Sequence, residues 1–137
     1  MDKRWSQTIY QTEGYNKTGL DGEAYIEDGL VVKTSSPLNR NPGTNPEQLL
    51  SLSLSTCLEA TLETIAKEQK LPHTAEVKVT VGLLGGTGNF EFLVHAEVRL
   101  PGVEETRAKV LVKEAEHRCC VSKLLLNSGN YTIEYVE

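Results

Sequence analysis

The sequence predicts an α+β fold with mostly antiparallel sheet, and three observations point there. Strand-like segments come in runs rather than alternating singly with helices. One segment, Phe90 to Leu100, carries the cleanest period-two pattern in the chain. Two long segments repeat their apolar residues at helical spacing instead. The predicted order is β-β-β-α-β-β-α-β, with two main helices, in a single domain spanning 1–137. No internal repeat, low-complexity tract or linker divides the chain.

The elements follow in order. Arg4 to Gln11 is rich in β-formers and places Trp5, Gln7, Ile9 and Gln11 on one face, so it reads as a first strand. Gly14-Tyr15-Asn16 and Thr18 to Gly22 carry turn chemistry. Glu23–Glu27 and Leu30–Thr34 form a hairpin across Asp28-Gly29. Ser35 to Thr44, with two prolines, is a loop. A helix then starts: Asn45 as N-cap, Pro46 at the first helical position, and Gln48 placed to complete a capping box. Leu50, Leu54, Cys57, Leu58, Leu62 and Ile65 form its apolar stripe. No charge falls between Glu47 and Glu59, so this half of the helix is expected to be buried on most sides. Lys70-Leu71-Pro72 ends it. Val77, Val79 and Val81 mark the next strand, and Gly85 to Asn89 turns into the alternating strand already noted. A second helix covers Glu104 to Arg118, with Ala108, Leu111, Val112, Ala115 and Cys119 on one stripe. Val121 to Leu126 suggests a short further helix, and Tyr131, Ile133 and Tyr135 alternate along a last strand.

Composition narrows the function. The 137 residues carry 14 Lys and Arg against 19 Asp and Glu, a net charge of −5, which argues against nucleic acid as partner. No run approaches the ~20 apolar residues of a membrane span. The polar start, Met1 to Ser6, lacks a signal-peptide pattern. The expected compartment is therefore the cytoplasm, without a membrane partner. Three cysteines in a reducing compartment are not a disulfide framework, and an odd number cannot all pair within one chain. Cys57 and Cys119 both lie on interior stripes. They are either small core residues or, if the two helices pack together, a pair whose sulfurs can meet. His117, Cys119 and Cys120 with Cys57 are metal-ligand types, but their spacing fits no standard site. His73 and His95 read as surface residues, and Glu104-Glu105 as acids favoured at a helix start.

Two motifs resemble one known family. Gly43-Thr44-Asn45-Pro46-Glu47-Gln48-Leu49-Leu50 with Ser55-Thr56-Cys57 is similar to the first cysteine motif of the OsmC/Ohr family. Ala115 to Lys123, containing Cys119-Cys120-Val121-Ser122, resembles its second, usually Cys-Pro-x-Ser. The resemblance covers essentially the whole chain. It implies an intertwined homodimer with two active sites at the subunit interface, acting as a thiol peroxidase on organic hydroperoxides. By motif position, Cys57 would be the peroxidatic cysteine, Cys119 the resolving one and Glu47 the active-site glutamate. No cofactor is implied beyond an external dithiol reductant such as a lipoyl group or small thiol. The chain departs from the family at two places. Leu20 precedes Asp21-Gly22 where the peroxidases carry arginine, and Cys120 replaces the proline. Lys17, Arg40 and Arg118 are the basic residues that could supply the charge instead. A buried thiol with no cation beside it holds its proton and reacts slowly. The alternative function is accordingly an OsmC-like dimer with weak or no peroxidase activity that binds an apolar small molecule at its interface.

Overall fold

The computed structural model describes all 137 residues, which form two compact units, residues 1–45 and 46–137. The order is a 3-10 turn (Lys3–Gln7), β1 (Gly14–Tyr15), β2 (Gly22–Ile26), β3 (Val31–Thr34), α1 (Pro46–Glu68), β4 (Glu76–Leu84), β5 (Glu91–Arg99), α2 (Glu105–Arg118), α3 (Cys120–Leu125) and β6 (Tyr131–Tyr135). The α+β class holds, with one three-stranded sheet in each unit.

The first unit is an antiparallel sheet in the order β1-β2-β3. The expected first strand over 4–11 is not formed. Asp2 caps a 3-10 turn there by accepting from the Arg4 N–H at 2.8 Å, and its carboxylate also grips the Arg4 guanidinium. This local side-chain bonding overrides β propensity. The first strand instead forms at Gly14–Tyr15, where Tyr15 stacks on Tyr25 with centroids 5.4 Å apart. The hairpin forms as expected, but Ile26 N–H bonds to Leu30 O at 2.8 Å, so three residues turn the chain rather than two. Asp28 takes the left-handed conformation, at φ 56°, which Asp tolerates better than most residues. No apolar residue of this unit is buried, and Trp5, Ile9, Tyr10, Leu30 and Val31 are exposed.

The second unit holds the apolar core. β4 and β5 pair antiparallel from Glu76↔Arg99 to Leu84↔Glu91. β6 lies parallel to β5, from Val94↔Tyr131 to Val98↔Tyr135. A parallel return needs a crossover, and α2 with α3 supplies it. Registers Val77↔Val98↔Tyr135, Val79↔Ala96↔Ile133 and Val81↔Val94↔Tyr131 align inward side chains across the three strands. The opposite sheet face is ion-paired: Lys78–Glu97 at 2.6 Å and Arg99–Glu76 at 2.7 Å. His95 sits there between Thr132 and Glu134, and His73 pairs with Glu59.

Leu54, Leu58, Leu62 and Ile65 of α1 pack into this core with Val94, Ala96, Val98, Ala108, Leu111, Val112 and Ala115. Lys70, left-handed at φ 55°, ends the helix, and Leu71 N–H reaches back to Ala66 O at 2.8 Å. Glu104 caps α2 by accepting from the Thr106 and Arg107 N–H groups, and those bonds hold its carboxyl below the usual range. Two expectations for α1 need correction. It is long and apolar enough by length and composition alone to cross a membrane, because the serines and threonines of its first half add less polarity than charges would. It is also not buried on most sides of this chain. Leu49, Leu52, Ser53 and Thr56 are exposed, and they fall at helical spacing on one face. A single sheet covers only one side of a helix.

Leu58, fully buried on α1, anchors that packing. Leu58→Ala is expected to destabilise the fold by about 2–5 kcal/mol in chemical denaturation. Thr80→Ala, on the exposed sheet face, should change stability by less than about 0.5 kcal/mol.

Candidate functional site

The site is built where α1 passes the junction of α2 and α3. α2 ends at Cys119, whose N–H still bonds to Ala115 O at 2.8 Å. The same residue caps α3: it leaves helical geometry at ψ 124°, and its sulfur accepts from the Ser122 N–H at 3.5 Å. The helix break therefore holds the sulfur rigidly and turns it inward. Cys119 is completely buried, Cys57 partly so, and Cys120, one residue on, is exposed. Consecutive positions of a helix diverge by about 100°, which separates Cys120 from its neighbour.

The two interior thiols belong to one cluster: Cys57 packs against the core that contains Cys119, close enough to raise the Cys119 pKa. Burial pushes the Cys119 thiol above its ordinary pKa and Cys57 adds to this, while hydrogen bonds from the backbone and side chain of Ser122 act against the rise. The Ser122 hydroxyl, itself fully buried, lies 2.7 Å from the Tyr131 hydroxyl on β6. Burial raises the Tyr131 pKa, the hydrogen bond with Ser122 acts against the rise, and Cys119, Glu116 and Cys57 add smaller upward contributions.

Glu47 is not part of this contact. It sits in the first turn of α1, ten residues before Cys57 on an unbroken helix, which separates the two by about 15 Å. Its Oε2 is buried and has no hydrogen-bond partner. Arg118, one of three candidate cations, is held by Glu68 at 2.7 Å and Glu114 at 2.8 Å. Those carboxylates raise its pKa further, and the pairing leaves it no free charge to offer a thiolate. Lys17 lies 5.8 Å over the Tyr15 ring.

Tyr131 was not among the residues singled out from sequence. The available signal was a hydroxyl-bearing ring at an inward strand position, which needs a polar partner within the core. Its partner Ser122 lies nine positions earlier on a different element, so only the fold reveals the pair.

Comparison with known proteins agrees with the resemblance in the motifs. The family model for OsmC-like protein matches residues 39–134, and the chain belongs to that family. It is 28% identical to the organic hydroperoxide resistance protein of Xanthomonas axonopodis pv. citri, over 93% of this chain and 94% of that one. It is 30% identical to the organic hydroperoxide resistance protein OhrB of Bacillus subtilis, covering 85% and 90%. The crystal structure of OhrB superposes with a TM-score of 0.83 over 93% of this chain and 98% of the other, at 27% identity. A candidate redox protein of Lactobacillus casei superposes with a TM-score of 0.96 at 57% identity, covering 99% and 96%.

The burial order fixes a reactivity order for the thiols. With iodoacetamide on the native reduced protein, peptide mapping is expected to show Cys120 modified first and Cys119 last. In denaturant the three should react at similar rates.

Proposed function

We propose that this protein is a thiol-dependent peroxidase that reduces organic hydroperoxides through Cys57 and Cys119. The placement of these two thiols in one core cluster, where each is within electrostatic reach of the other, is the observation that supports the reading most. Cys57, the less buried of the two, attacks the O–O bond of the hydroperoxide as a thiolate. The alcohol leaves and Cys57 becomes a sulfenic acid. The Cys119 sulfur then attacks the Cys57 sulfur, the hydroxyl departs with one proton as water, and a disulfide forms. An external dithiol reduces the disulfide by two electrons and is itself oxidised. The names of the related hydroperoxide resistance proteins favour the same substrate class.

Glu47 enters this reading through a second copy of the chain. The exposed, uncharged face of α1 (Leu49, Leu52, Ser53 and Thr56) suits another apolar helix better than water. Residue 52 is midway between 47 and 57. An antiparallel pair of α1 helices with its two-fold axis at Leu52 sets Glu47 level with Cys57 of the partner subunit. A sheet of three strands without a buried apolar residue, like that of residues 1–45, also needs outside cover. We therefore assign the active form as a homodimer in which Glu47 lies level with the partner subunit's Cys57.

Dithiol-coupled consumption of cumene hydroperoxide tests the chemistry. Wild type is expected to turn over and Cys57→Ser to lose activity at least a hundredfold; equal rates in the two proteins would sink the peroxidase reading. Cys119→Ser should trap the Cys57 sulfenic acid, detected by dimedone adduction. For the assembly, light scattering should give twice the chain mass for wild type and a smaller particle for Leu52→Glu.

A further inference from the structure

Tyr131 is a half-buried titratable group that the chemistry above does not use, and its position gives it a task. Its hydroxyl is 2.7 Å from the Ser122 hydroxyl. Ser122 in turn donates its backbone N–H to the Cys119 sulfur at 3.5 Å, and its side chain acts with that bond to lower the Cys119 pKa. Ser122 can give its one hydroxyl proton to the sulfur only if its oxygen accepts from elsewhere. Tyr131 is the group in place to donate. The contacts run from the Tyr131 hydroxyl to Ser122 Oγ at 2.7 Å, where either hydroxyl can donate, and from Ser122 N–H to Cys119 Sγ at 3.5 Å.

We propose that Tyr131, acting through Ser122, is a positioning residue that stabilises the Cys119 sulfur as a thiolate leaving group when the active-site disulfide is reduced. This rests on the peroxidase reading for its biological purpose, but its physical content concerns the thiol pair alone. The direction of attack follows from burial. An external dithiol can reach the partly exposed Cys57 sulfur and not the fully buried Cys119 sulfur. The new bond forms between reductant sulfur and Cys57. The Cys57–Cys119 bond breaks, and Cys119 leaves with the electron pair. A leaving thiol departs faster the lower its pKa, yet burial and the neighbouring Cys57 push this one up. Hydrogen bonds aimed at the sulfur oppose that penalty where no water can. The second reductant sulfur then closes on the first and releases Cys57, and the reductant's protons return to the two thiols. The groups that face Cys119 and Tyr131 and bear on this titration are Cys57 of α1 and Glu116 of α2; Glu116 is itself paired with Lys113 at 2.8 Å.

The test uses full-length wild type, Tyr131→Phe and Ser122→Ala. Each is oxidised with diamide, which makes the disulfide without any hydroperoxide, and mass spectrometry verifies the Cys57–Cys119 bond. Stopped-flow reduction by dithiothreitol is then followed from pH 6 to 10. In parallel, the Cys119 thiolate is titrated at 240 nm in a Cys57→Ser, Cys120→Ser background. Tyr131→Phe keeps the ring and removes only the hydroxyl. It is expected to slow reduction by about three- to tenfold and to move the Cys119 titration to higher pH, with Ser122→Ala shifting both in the same direction. An unchanged titration in Tyr131→Phe overturns the proposal, whether or not the rate falls, because a packing role alone would leave it in place. If diamide gives no disulfide, the titration decides by itself. Absence of cumene hydroperoxide turnover in wild type would remove the peroxidase reading and leave this measurement intact.

Discussion

The constraint on which the rest depends is that α1 runs unbroken from Pro46 to Glu68 while one side of it is clamped to a sheet. A helix of 3.6 residues per turn sorts its residues by angle once one stripe is fixed. Leu54, Leu58, Leu62 and Ile65 take the core. Cys57 then falls on the flank of that stripe, partly covered and within reach of α2 and α3. Leu49, Leu52 and Thr56 are forced outward. Glu47 is carried some 15 Å up the axis from the thiol. No side chain on this helix is free to change its role without unseating the packing that holds the other three sets in place.

The second element of design is the break between α2 and α3. A continuous helix would carry Cys119 round with its neighbours and leave its sulfur to compete with the turn above. The break lets one residue end one helix and cap the next. Its sulfur is left accepting from the Ser122 N–H and with no exposure to solvent. Cys120, at a position where the related motif has proline, is the first residue of the new helix and faces out. Thiols adjacent in sequence are thus held in opposite environments, one buried among polar contacts, the other open to any reagent.

Charge is distributed around the thiols with similar economy. The basic residue nearest in sequence to Cys119, Arg118, is bound by Glu68 and Glu114 and ties the end of α2 to the end of α1. It acts on the packing of the site rather than on the sulfur. The Cys119 sulfur is served by a hydrogen-bond donor instead, the Ser122 N–H. Such donors depend on orientation more than on long-range field, so they require the close, fixed geometry that the helix break and β6 provide.

Much of this was legible in the sequence because it rests on local physics. Periodicity revealed α1, α2 and β5, since apolar residues at 3.6 or 2.0 spacing have few other uses. Capping chemistry marked the start of α1 and the Glu104 cap of α2. The two cysteine motifs named the family, and with it Cys57 and Cys119. Local physics also misled at Arg4 to Gln11, where β propensity lost to the side-chain bond between Asp2 and Arg4. Tertiary structure alone decided the parallel seat of β6 beside β5, which brings Tyr131 to Ser122. It alone showed Arg118 already spent on two carboxylates, and α1 left open along Leu49, Leu52 and Thr56. Those facts depend on which elements lie side by side, and a one-dimensional pattern records the faces of an element but not what is placed against them.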